Sequence, residues 1–136
     1  MNGLKHRNYV TLAELRHLLR KFLRFSKDFL AETAGLTPQQ YEVMLAIKAF
    51  TNGANLTIAQ LSHHLQVKHH TAVSAVDRLV ERKLITRRPG QQDRRRRYLE
   101  LTNKGGKLIA KLAAAHFKDL RGRSSEIIEA LERLRN

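Results

Sequence analysis

The sequence predicts a mainly α-helical protein with a small β-hairpin wing: a winged helix-turn-helix unit flanked by helices at both ends. Three observations lead there. Two short amphipathic helices are separated by only Gln66-Val67-Lys68. The apolar period then changes from helical to alternating at Leu84. Before and after this unit lie long helical patterns with more apolar positions than one core needs.

The first helical pattern runs from Thr11 to about Glu32. Leu15, Leu18, Phe22, Phe25 and Phe29 form a heptad-like stripe, and Leu12, Leu19, Leu23 and Leu30 widen it. A helix with two apolar faces packs on its own domain and on something else, here expected to be a partner chain. The second helix starts at Thr37-Pro38-Gln39-Gln40, where Thr caps, Pro takes the first helical position and Gln completes a capping box. Tyr41, Met44, Leu45 and Ile47 are its expected core side, and Asn52-Gly53 its stop. Thr57 and Gln60 repeat the box for a short third helix ending near Leu65, with Ala59, Leu61 and Leu65 expected inside.

The fourth helix runs to about Lys83 with Val73, Val76, Leu79 and Val80 inward. Its other face carries His70, Thr71, Ser74, Asp77, Arg78 and Glu81. Residues 84–88 and 98–101 alternate as two strands, joined through Pro89-Gly90 and the run Arg94-Arg95-Arg96-Arg97. Thr102 caps a fifth helix with Leu108, Leu112, Ala115 and Leu120. Gly122 is expected to interrupt it, and Ser124 to start a sixth carrying Ile127, Ile128, Leu131 and Leu134.

The chain has 136 residues, enough for one core. It carries 26 Lys and Arg against 12 Asp and Glu, a net charge of +14 that favours a polyanionic partner. There are no cysteines, so disulfides and thiolate metal sites are excluded. Charges interrupt the first 30 residues, leaving no secretory segment, and no apolar run can span a bilayer; a cytoplasmic protein without membrane contact is the expectation. No Gly-rich phosphate loop, nucleophile elbow or spaced acid–base set suggests an enzyme. His63-His64 and His69-His70 contain no Cys or carboxylate, and neighbouring residues of a helix point apart, so neither a metal nor a cofactor is expected.

A helix with a small polar and basic face can enter the major groove, and arginines of an adjoining hairpin can reach a minor groove of strong negative potential. The segment from Leu65 to Ile85, then Arg87-Arg88-Pro89, Asp93-Arg94-Arg95 and Leu99-Glu100-Leu101-Thr102-Asn103-Lys104-Gly105, resembles the MarR family over its recognition helix, wing and exit helix. The resemblance implies a homodimeric transcriptional regulator, with residues 1–36 and 102–136 interlocking and residues 37–101 reading a pseudo-palindromic double-stranded operator. It places an aspartate–arginine wing pair on Asp93 and Arg95, the arginine entering the minor groove. It also implies a small, often aromatic and anionic effector in a cleft beside the dimer helices. His17, Arg20 and Lys48 are the candidate partners for such an anion. Lys83 departs from the family, which commonly has Gly there in a left-handed helix cap.

The candidate DNA-binding residues are therefore Lys68, His69, His70, Thr71, Ser74 and Arg78 on the helix. From the wing they are Arg87, Arg88, Asp93, Arg94, Arg95, Arg96 and Arg97, with Lys104 a further phosphate candidate. Asp77 is expected to pair with Arg78 or a wing arginine rather than read bases. The histidines either meet phosphates or stay solvated. The competing reading is a basic architectural protein that binds nucleic acid without sequence preference.

Overall fold

Gly35, at φ 62°, takes the left-handed conformation that closes the first helix, α1 (His6–Ala34), with its N–H on the Ala31 carbonyl at 3.2 Å. In this computed structural model, which describes residues 3–50, 56–90 and 95–136, α1 begins five residues before the expected Thr11. The Asn8 carboxamide accepts from the Lys5 backbone N–H at 2.8 Å and starts the helix there. Thr11 lies inside it, its hydroxyl donating to the Arg7 carbonyl at 3.0 Å.

Helix α2 spans Pro38–Phe50. Its capping box closes as the sequence predicts: the Gln40 N–H donates to Thr37 Oγ1 at 3.1 Å, and Gln40 Oε1 accepts from the Thr37 N–H at 3.0 Å. The expected Asn52-Gly53 stop lies outside the described residues. A two-residue strand, β1 (Leu56–Thr57), precedes α3 (Ile58–Leu65). Thr57 both ends the strand and caps α3, with Gln60 returning the bond. Gln66 turns the chain at φ 57°, its backbone N–H on the His63 carbonyl, and α4 (His69–Glu81) follows. The inner side of α4 is Ala72, Ala75, Val76 and Leu79, while Val73 and Val80 are only half-buried.

Strands β2 (Ile85–Pro89) and β3 (Arg97–Leu101) pair antiparallel, Ile85 opposite Leu101 and Pro89 opposite Arg97. β1 adds on the other side of β3, Leu56 opposite Leu99, so the wing is a three-stranded sheet in the order β1-β3-β2. The added strand lets Leu56 and Leu99 join the core with Leu61, Val76, Leu79 and Ile85, to which α1 contributes Leu30 and α5 contributes Leu112. Leu30 is thus interior, not part of an outward-facing stripe.

The last helix, α5 (Asn103–Arg135), runs unbroken for 33 residues, which corrects the expected interruption at Gly122. One glycine costs a helix about 1 kcal/mol, too little to break it against flanking burial. Arg123 spans the site with two bonds to Asp119, at 2.8 and 3.3 Å. Ser124 donates to the Arg121 carbonyl as an interior helical residue instead of capping a new helix. α5 packs antiparallel on α1, pairing Arg133 with Glu14 at one level and His116 with Ser26 at another.

The joint between α4 and α5 is tight. The Lys83 N–H donates to the Val80 carbonyl at 2.9 Å and the Leu84 N–H to the Leu79 carbonyl at 3.0 Å, a Schellman turn with Lys83 left-handed at φ 61°. The Thr102 hydroxyl donates to the Lys83 carbonyl at 2.7 Å, and Thr102 Oγ1 accepts from the Gly105 N–H. A Cβ on Gly105 would stand 1.9 Å from the Leu84 carbonyl oxygen, so only glycine permits this approach.

Candidate nucleic-acid interface

The outer face of α4 carries His69, His70, Ser74, Asp77 and Arg78 in full exposure, with Thr71 half-buried beside them. Its polarity follows from its inner side: two alanines and Val76 and Leu79 fill the contact with α2 and α3, leaving only polar residues outward. Lys68 stands at the N-cap and makes no side-chain cap, and no acid lies in the first turn. The amide groups of that turn therefore keep their partial positive charge for an anion.

The start of α2 lies alongside. Thr37, Gln39 and Gln40 form one wall of a groove of about 440 Å³ whose other wall is His70, Thr71, Ser74 and Arg78. The sequence reading assigned those three residues only to helix capping. Thr37 and Gln40 are held by their mutual bonds, so Gln39 is the side chain there not engaged in the capping box.

The wing is fastened to this helix. Arg87 pairs with Asp77, which fulfils the expectation that Asp77 would meet a wing arginine. Arg88 pairs with Glu100 across the hairpin at 2.7 Å. Both arginines thus carry carboxylate partners, of which only Glu100 was not foreseen by sequence inspection. Arg95, Arg96 and Arg97 are exposed on the returning limb of the hairpin, whose tip is closed by the Gly90 N–H on the Arg96 carbonyl at 2.9 Å. Asp93 and Arg94 lie outside the described residues. Arg82, missed by sequence reading, donates to the Gly35 and Ala34 carbonyls at 3.2 and 2.8 Å, tying the end of α4 to the end of α1. Its signal was a basic residue at the C-cap of α4, but the helix whose carbonyls it meets is distant in sequence. Lys104 reaches the Arg82 carbonyl at 3.4 Å.

A second concavity, of about 400 Å³, opens between α1, α2 and α5, where the expected effector cleft lies. Its walls are apolar, with Phe22, Leu23, Leu45, Phe117 and Leu120 among them, and Glu42 is the only carboxylate among the described residues that line it. None of His17, Arg20 and Lys48, the residues expected to meet an anion, is among its lining. His17 faces a separate small cleft with Glu14, Glu126, Glu129 and Arg133. Arg20 and Lys48 are exposed on helix surfaces. At the back of the apolar cavity His116 is buried, stacked on Tyr41 with ring centroids 4.2 Å apart and edged by Phe22, Phe25 and Phe29. Its Nδ1 lies 2.7 Å from the Leu112 carbonyl, which can only accept, so Nδ1 carries a proton; Nε2 lies 2.8 Å from Ser26 Oγ. Burial pushes the Tyr41 phenol above its ordinary pKa, keeping it uncharged.

Several exposed apolar residues of the two long helices share a face with residues that wall the cavity. Leu12, Leu19 and Leu23 repeat along α1, and Phe117, Leu120, Ile128 and Leu131 along α5. Among the described residues, no helix is long and apolar enough to cross a membrane.

The family model described as MarR family matches residues 34–96 of the chain, from the end of α1 to the wing. No curated protein shows significant sequence similarity. Among solved structures, AbsC, a MarR family transcriptional regulator from Streptomyces coelicolor, superposes with a TM-score of 0.79 at 19% identity, over 98% of this chain and 90% of AbsC. Wild-type MarR from E. coli in its apo form gives 0.72 at 20% identity, over 98% and 96%. A point mutant of S. aureus MepR bound to an oligodeoxyribonucleotide gives 0.68 at 22% identity, over 97% and 92%.

Proposed function

We propose that this chain, whose residues 34–96 match the MarR family model, is a transcriptional regulator of MarR type: a cytoplasmic homodimer that binds a pseudo-palindromic double-stranded operator and represses transcription. The observation that carries this reading is the wholly polar outer face of α4, fastened through Asp77 and Arg87 to an arginine-bearing wing. Ser74, Thr71 and Arg78 would meet base edges in the major groove, and Lys68, His69 and His70 the phosphates around the helix start. Arg95 would enter the minor groove, positioned by Asp93, with Arg94, Arg96 and Arg97 supplying charge around it. Arg87 and Arg88, held by carboxylates, would set the angle of the wing more than they neutralise phosphate.

Residues 1–36 and 102–136 would supply the dimer contact. Leu23, Phe117, Ile128 and Leu131 are roughly half exposed, more apolar surface than an isolated pair of helices leaves in water. Closing that face on a second copy would also roof the apolar cavity. A small molecule entering there would release DNA if it preferred the spacing of the two winged units that cannot span the operator. With Glu42 and no cation on its walls, the cavity suits a neutral or cationic apolar ligand better than the anionic aromatic one that the family resemblance implied.

Selection of bound sequences from random duplex DNA tests the reading. A recovered two-fold symmetric site with half-sites about one helical turn apart, bound at least about 10³-fold more tightly than random duplex at physiological salt, is the expected result. Equal affinity for every duplex would favour the architectural alternative.

A further inference from the structure

Charge is divided unevenly along α5. Residues 103–118, which adjoin the wing and the end of α4, hold Lys104, Lys107, Lys111 and Lys118 and no carboxylate. The remainder of the helix holds Asp119, Glu126, Glu129 and Glu132 among its cations. At 100° per residue the four lysines fall within about 60° of one another, one row along one face. All four are exposed, and Lys107, Lys111 and Lys118 make no hydrogen bond or ion pair with any described residue.

Two observations set this row apart from a merely solvated face. Lys104 and Lys107 occupy the first two turns, where the helix dipole is positive and a carboxylate would be favoured; no acid stands in the first turn. That preference is broken at Lys104, beside the nucleic-acid face, and the three lysines that follow add like charge with no carboxylate among them, a repulsion that a polyanionic partner would relieve. The row also points away from the other unpartnered surface of α5. It lies about 130° around the helix from Phe117, Leu120, Ile128 and Leu131, so a second copy seated on those residues leaves the lysines in solvent.

We propose that Lys104, Lys107, Lys111 and Lys118 form a phosphate-binding rail that engages the duplex flanking the operator, extending each half-site past the wing. The inference rests on the operator-binding reading above. The helix rises about 4.5 Å from Lys104 to Lys107, about 6 Å to Lys111 and about 10.5 Å to Lys118. Flexible ammonium stems at that spacing can follow one strand of backbone without reading its sequence. Flanking DNA drawn onto the rail bends towards α5.

The test uses the full-length protein, the selected operator in duplexes of about 20 and about 40 base pairs, and the triple variant Lys107→Gln, Lys111→Gln, Lys118→Gln. Wild-type protein is expected to bind the long duplex more tightly than the short one. The variant should keep wild-type affinity for the short duplex, which also reports that it is folded, and lose the gain from length. Its salt slope on the long duplex should fall by about 0.9 per lost phosphate contact, so up to about 2.7 per protomer. A variant with an undiminished length gain and slope, or one equally weakened on both duplexes, overturns the rail. Wild-type protein that does not distinguish operator from random duplex overturns instead the reading on which the rail rests.

Discussion

Replacing Lys83 by glycine should stabilise the protein, although it removes a side chain and a charge. Lys83 sits at φ 61° with its N–H and that of Leu84 satisfying the last carbonyls of α4. An L-residue in that region costs about 1–2 kcal/mol that glycine avoids. Glycine in turn adds freedom to the unfolded chain worth about 0.5–1 kcal/mol. The difference leaves a net gain of about 0.5–1 kcal/mol. With an unfolding entropy of about 2.1 cal/mol/K per residue, the midpoint should rise by about 2–3 °C. The assay is thermal unfolding at one fixed protein concentration, since the proposed dimerisation would make the midpoint depend on it. Lys83→Ala is the control: it removes the same charge but keeps the Cβ, and should move the midpoint little. If Lys83→Gly lowers the midpoint, or gains no more than Lys83→Ala, the backbone argument is wrong.

Gly105→Ala should destabilise by about 1–3 kcal/mol or more in denaturant unfolding, because the new methyl meets backbone at Leu84 and not a yielding side chain; an unchanged midpoint would refute the close approach. Ser26→Ala should cost about 1–3 kcal/mol by leaving His116 Nε2 buried without its partner, measured the same way. Arg95→Ala should weaken operator binding by about 1–3 kcal/mol in fluorescence anisotropy with the unfolding midpoint unmoved; unaltered affinity would show that the wing arginine is idle. Ser74→Ala should change which bases are selected while leaving the salt slope alone, and the reverse outcome would make Ser74 a phosphate contact.

What could be read from the residues was local. The capping boxes at Thr37–Gln40 and Thr57–Gln60 and the Thr102 cap each lie within four residues, and all three close as their spacing requires. The lysine at the end of α4 was marked only through the resemblance to a family that commonly has Gly there, and the structure does hold it left-handed. Strand β1 was not visible, because two residues carry no alternation and Leu56 is a strand only through Leu99. Leu45 was expected inside with Tyr41 and Met44, yet it lines the cavity, while Val43 is buried; one apolar stripe does not say where an element runs out of neighbours. The partners of Arg88 and Arg82 are fixed by how distant elements meet, which charge alone does not reveal, whereas Asp77 was already expected to meet Arg78 or a wing arginine. A cavity does open between the three helices expected to wall a cleft, but His17, Arg20 and Lys48 do not line it, since helical period alone does not decide which of two polar faces a third helix will cover.

The continuity of α5 through Gly122 has a mechanical consequence. Its 33 residues make a rod about 50 Å long, clamped at Gly105 against the turn that leads into the wing. Tilting such a rod by about 5° at its far end carries the clamped end about 4 Å sideways, comparable to the spacing between successive base pairs. A helix broken at Gly122 would have absorbed that tilt in its hinge. An intact one passes it on, so in the dimer proposed above a small rearrangement where two copies meet would put both reading heads out of step with the groove.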